Sequence, residues 1–177
     1  MDAIAEFFIT WIERNQAWLP LIMLVFAAAE TTAFLSILIP STAVLMAVGA
    51  MVATGKVEFW PLWAGAAAGA FIGSTFSYWL GRHYGRAVLE MRPMSDHPEM
   101  VEKARAAFVK YGAATVLIGH FLTVLRPVVF LLAGMTGMPL RRFMLWNILG
   151  CAAWAWLIPK LGQFGGDIFG WLWSVFA

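Results

Sequence analysis

The chain has 177 residues, of which 62% are hydrophobic and 12% charged, about half the charged share of a soluble domain. That length suits one domain, and the composition excludes a soluble globular protein. The net charge of +2 is too small to point to nucleic acid. The chain reads as an all-α integral membrane protein, one membrane domain over 1–177.

Residues 3–14 read as a short amphipathic helix, with Ile4, Phe7, Phe8, Trp11 and Ile12 on one face; an interfacial helix is predicted for 1–16. Asp2 and Glu6 stand where a cleavable signal carries Lys or Arg, so none is expected. Between Arg14 and Lys56 the only ionisable side chain is Glu30, and Pro40 interrupts the apolar run. Residues 41–54 are short for a span, which needs about 20 residues. Residues 17–55 therefore predict a first re-entrant hairpin, with arms 17–38 and 41–54 and its break at Pro40.

From Phe59 to Gly81 there is no charge, and a transmembrane helix is predicted there. Gly65, Gly69 and Gly73 form a small-residue stripe at four-residue spacing, which lets a second helix come close and permits homo-oligomers without requiring them. The segment 82–111 is hydrophilic and holds Arg82, Arg86, Arg92, Lys103, Arg105 and Lys110, so it is expected to be cytoplasmic. Within it Asp96 can cap a helix over 97–111, with Glu99 at the capping-box position and Gly112 as the stop.

From Gly112 to Leu140 only His120 and Arg126 are ionisable. An arginine in so apolar a run costs about 3 kcal/mol unless it is paired or wet, and Pro127 biases it away from helix. A second re-entrant hairpin is predicted over 112–138: half-helices at 113–125 and 127–137, broken at Arg126–Pro127. Irregular backbone at membrane depth is tolerated where it is buried in protein or lines a wet cavity. A second transmembrane helix is expected at 142–159, then a Gly- and Trp-rich tail at 160–177. Cys151 is the single cysteine and cannot form an internal disulfide.

The two halves echo one another. Gly69, Gly81 and Gly85 share their spacing with Gly150, Gly162 and Gly166, and Pro40 and Gly49 answer Pro127 and Gly134. Two inverted repeats follow, each a re-entrant hairpin plus a transmembrane helix, with hairpin tips near the midplane.

Four blocks resemble the DedA family, also called SNARE-associated or VTT-domain proteins. They are Glu30 followed by Ile39-Pro40-Ser41-Thr42; Gly73-Ser74, Tyr78, Gly81-Arg82 and Gly85; Tyr111-Gly112, Gly119-His120-Phe121 and Arg126-Pro127; and Ala133-Gly134-Met135, Met138-Pro139 and Arg142-Phe143. They cover roughly residues 20–160. The resemblance implies facing re-entrant helices and movement of a phosphate-bearing lipid, such as undecaprenyl phosphate or a phospholipid, between leaflets of a bacterial inner membrane. Some members depend on the proton gradient, so protons are an implied partner. Three positions depart from the family pattern: Thr42 replaces its second acid, His120 the first arginine of its pair, and Ser74 its aspartate.

Glu30, Arg126, His120 and Thr42 are the candidate substrate residues. A guanidinium fork matches phosphate geometry, and Glu30 would pair with Arg126 when no substrate is bound. The alternative is a structural ion pair that sets register. Thr42 is read as a phosphate-contacting hydroxyl or one satisfied by backbone, and Ser74 as a packing residue. Arg82 and Arg86 are read either as headgroup attractors or as positive-inside anchors. No cofactor and no metal site is expected, and no enzyme signature is found. The alternatives to a lipid translocase are a proton- or ion-coupled carrier of a small solute, an intramembrane lipid-phosphate enzyme using His120 as base, and a scaffold.

Overall fold

The computed structural model describes residues 16–32, 48–49, 52, 57–85, 87, 90, 94–96, 98–122 and 125–176. Among them every regular element is helical. The expected interfacial helix, the second arm of the first hairpin apart from residues 48, 49 and 52, and Pro40, Thr42 and Arg86 lie outside the described residues. A single helical turn at Gln16–Trp18 leads into α1, Leu19–Thr31, with Pro20 in its first turn, where a missing N–H costs nothing. Helix α2 runs from Phe59 to Tyr84, three residues beyond the expected span. It ends at Gly85, whose φ of 51° is a conformation that favours glycine.

Helix α3, Pro98–Tyr111, buries Val101 and Ala104. Gly112, at φ 59°, stops it. A turn at Gly112–Ala114 leads to the short helix α4, Thr115–Gly119. After turns through 120–122 and 125 comes α5, Arg126–Met135. Two apolar arms with a break between them are therefore present, but the break lies several residues earlier than expected. Arg126 and Pro127 begin the second arm instead of forming the gap. The Arg126 amide donates to the Leu122 carbonyl at 2.8 Å, and a proline in a first turn removes no helical hydrogen bond.

Helix α6 is continuous over 37 residues, Leu140–Phe176, with Pro159 inside. The expected span at 142–159 and the separate tail thus form one helix. The stretch Leu140–Gly165 is long and apolar enough to cross a membrane, and no other helix among the described residues meets both criteria. Helix α2 is as long as that stretch. Both helices carry apolar side chains outward: Trp60, Ile72, Phe76 and Trp79 on α2, and Leu145, Ile148, Trp156 and Phe164 on α6.

Helix α2 is the hub, packing against α1, α5 and α6. Glycine makes this possible. A methyl group on Gly65 would collide with the backbone of Pro20, one on Gly69 with that of Leu24, and one on Gly73 with Ala28 and Thr31. Further along α2, a methyl group on Gly81 would strike the Leu131 carbonyl of α5, and one on Gly134 of α5 would strike the Tyr78 carbonyl of α2. The helices therefore meet backbone to backbone, the mode small residues permit in membranes. Polar side chains tie the joints. Ser77 donates to the Thr31 carbonyl at 2.9 Å, Tyr78 Oη to the Met138 carbonyl at 2.6 Å, and the Trp63 indole to the Ala152 carbonyl at 3.1 Å.

Candidate functional site

Two lone charges from distant parts of the sequence meet inside this bundle. Glu30 lies in the last turn of α1 and Arg126 is the first residue of α5. Arg126 Nη1 stands 3.3 Å from Glu30 Oε1, and the side chains are 0% and 1% exposed. Both charges occupy the wrong helix ends. A helix C-terminus repels a carboxylate, and an N-terminus repels a guanidinium. Each is held in place by the other, and by further contacts around the guanidinium.

Arg126 Nη2 donates to the His120 carbonyl at 2.6 Å, so the turn that separates the arms also grips the arginine. The guanidinium lies over the Trp154 ring, 4.4 Å from its centroid. Such a desolvated cation–π contact contributes about 2 kcal/mol. Arg126 Nε has no hydrogen-bond partner among the described residues. The arginine is thus anchored but has donor capacity left.

His120 is buried beside it. Its Nε2 lies 3.0 Å from Asn147 Oδ1 and 3.6 Å from Cys151 Sγ, and its ring sits 4.7 Å from that of Phe130. Gly150 leaves the room, since a methyl group there would run into the imidazole. Asn147 in turn donates from Nδ2 to Thr75 Oγ1 of α2 at 3.5 Å. A polar chain therefore runs from the Arg126 anchor through His120 and Asn147 to α2.

The structure thus brings together Glu30, Arg126 and His120. Ser74 is buried and donates to the Ala70 carbonyl at 2.7 Å within its own helix. Arg82 is exposed in the last turn of α2, away from the buried pair. Three contributors were not singled out from sequence: Asn147, Trp154 and Thr75. Asn147, Cys151 and Trp154 are spaced by four and three residues, which puts them on one face of α6. Asn147 is also the one amide side chain between Phe143 and Pro159, which was the available signal. No group of three or more potential metal ligands occurs among the described residues.

A buried acid–base pair at the ends of two helices, inside an apolar bundle, defines a membrane protein with a polar site in its interior. The VTT domain family matches residues 39–164, and the chain belongs to that family, the DedA proteins; it is an integral membrane protein. The inner membrane protein YabI of Escherichia coli K12 is 27% identical over 154 residues, covering 87% of this chain and 59% of the relative. Undecaprenyl phosphate transporter A of Bacillus subtilis 168 is 31% identical over 127 residues, 71% of this chain and 64% of the relative. The inner membrane protein YghB of Escherichia coli K12 is 30% identical over 129 residues, 70% and 57% respectively. The chain therefore spans about 60% of the length of the curated relatives it matches. No solved structure matches it.

Proposed function

We propose that this protein is a lipid translocase that carries a phosphate-bearing lipid between membrane leaflets, with Arg126 as the phosphate receptor and Glu30 as its counter-ion. The observation that carries this reading is the buried Glu30–Arg126 pair at 3.3 Å. An intramembrane ion pair is a functional site by default. Here the arginine also stands at a helix N-terminus, where the backbone itself favours an anion. A lipid phosphate gains from the guanidinium and from the field of the helix dipole; the Arg126 amide itself already donates to the Leu122 carbonyl. Its arrival, or a proton on Glu30, dissolves the pair. The name of the Bacillus relative supports a polyprenyl phosphate as cargo, with phospholipids as the other candidate.

The remaining parts of the reading follow from this one. The arms α4 and α5 are a re-entrant hairpin, answered by α1 and the segment after it in an inverted repeat. The segment 82–110 faces the cytoplasm of a bacterium whose inner membrane holds the protein, and Arg82 and Arg86 gather anionic headgroups at that rim. Thr42 offers a hydroxyl to the phosphate, and protons are the coupling ion. Chemistry on the lipid is not part of the proposal.

The test is translocation in sealed proteoliposomes, using a short polyprenyl phosphate and headgroup-labelled phospholipids. Native protein should move at least one of them, and Glu30→Gln and Arg126→Ala should each abolish movement while the fold, followed by near-ultraviolet circular dichroism, persists. Full transport by both variants, or no movement of any lipid by native protein with or without a pH gradient, would overturn it.

A further inference from the structure

The chain His120–Asn147–Thr75 fixes more than packing. Asn147 Nδ2 donates to Thr75 Oγ1, which turns Oδ1 toward His120 Nε2. The Cys151 thiol lies within reach of both partners, 3.7 Å from Oδ1 and 3.6 Å from Nε2. An oxygen facing Nε2 requires the imidazole proton to sit on Nε2. Nδ1 then carries a lone pair. That atom is buried and has no hydrogen-bond partner among the described residues. Close by, Arg126 Nε is a buried donor in the same condition.

Buried polar atoms without partners are rare and costly. Among the described residues Arg126 Nη1 makes only its ion contact with Glu30. The site therefore leaves two guanidinium donors and the His120 acceptor around the same charged centre, and its complement is a group that accepts from the arginine and donates to the histidine. A fully ionised phosphate accepts but cannot donate. A phosphodiester has no P–O–H at all. A phosphomonoester with one proton does both. Charge points the same way: the described cluster holds one cation and one anion, and a monoanion adds less charge to an apolar interior than a dianion does.

Resting on the translocase reading, we infer that the site selects lipid phosphomonoesters in their singly protonated form, that His120 Nδ1 accepts the P–O–H proton in a hydrogen bond, and that Asn147 is the positioning residue that holds His120 in the accepting tautomer. No covalent bond forms or breaks. With a second phosphate pKa near 6, about a tenth of such an ester is already in this form at pH 7.

The experiment uses the 177-residue chain in nanodiscs, labelled with 15N-histidine. His83→Gln and His97→Gln leave His120 as the one histidine of three. Its spectrum should show a protonated Nε2 and a bare Nδ1, and farnesyl monophosphate should move the Nδ1 resonance toward its hydrogen-bonded position. At about pH 5, where farnesyl phosphate is mainly a monoanion, its methyl ester carries the same charge with a methyl group in place of the P–O–H proton. That ester should bind about ten-fold to a hundred-fold more weakly and leave that resonance in place. Asn147→Leu should mix the tautomers and shrink the difference between the two lipids, an effect that a merely structural role would not produce. The lipid comparison in native protein stands if that variant does not fold. A proton found on Nδ1, equal binding of the two lipids, or binding of neither would overturn the inference. Equal binding together with intact transport would leave the translocase reading standing, whereas loss of all transport would remove that reading as well.

Discussion

Neutralising both members of the buried pair should cost less stability than the sum of neutralising each alone. Glu30→Gln leaves the Arg126 charge inside the bundle with its carboxylate gone, and Arg126→Met does the reverse. At 3.3 Å, unit charges in an effective dielectric of about 20 attract by about 5 kcal/mol, but the desolvation already suffered by both side chains offsets much of this. Each single variant should therefore lose about 3–5 kcal/mol. The double variant should lose less than the sum of the two, by a coupling of about 2–3 kcal/mol. Equilibrium unfolding in mixed micelles, followed by tryptophan fluorescence, measures all four corners of the cycle. Additive losses, with coupling below about 0.5 kcal/mol, would show that the two charges do not interact in the membrane and would refute the geometry of the site.

Other substitutions probe the surroundings. Gly69→Ala should destabilise by about 1–3 kcal/mol, because its methyl group meets the Leu24 backbone and neither helix has a side chain to move aside; melting temperature reports it. Gly112→Ala, at φ 59°, should cost about 1–2 kcal/mol in the same melt without touching transport. Tyr78→Phe should lose about 1 kcal/mol as its bond to the Met138 carbonyl disappears. Trp154→Leu should weaken phosphate binding by loosening the guanidinium, with a loss of about 2 kcal/mol readable as a raised dissociation constant for farnesyl monophosphate.

Much of this architecture was legible in the sequence because membrane chains advertise their exceptions. Glu30 and Arg126 stood out as isolated charges in apolar runs, and the structure brings them together. The stripe Gly65, Gly69, Gly73 announced a close approach, though not its partner, which is the backbone of α1. Element boundaries were harder. Pro127 was read as a break, yet a proline suits the first turn of a helix as well as the gap before it, and sequence does not separate the two. The Gly- and Trp-rich composition of 160–177 set a tail apart from the span at 142–159, but α6 continues through Pro159 and that tail to Phe176. Asn147 and Trp154 escaped notice because their roles depend on what faces them. One amide or one tryptophan on an apolar helix has no meaning until His120 and Arg126 are placed opposite.

The glycine contacts have a mechanical consequence. Helix α1, which carries Glu30, is seated on α2 at Gly65, Gly69 and Gly73, and α5, which carries Arg126, is seated on the same helix at Gly81 and Gly134. At Gly65, Gly69, Gly81 and Gly134 backbone meets backbone with no intervening side chain to yield, and at Gly73 the Thr31 side chain and the Ala28 carbonyl fill the gap, so neither helix can slide along α2 without collision. Helix α2 is therefore a common spine, and the main-chain positions of the acid and the base are fixed relative to one another. Parting the pair is then a matter of side-chain torsions, and because both side chains are buried and Arg126 is held by the His120 carbonyl and the Trp154 ring, those torsions turn only as the packing around them opens. The ion exchange at the centre is therefore tied to the opening of the packing around the guanidinium.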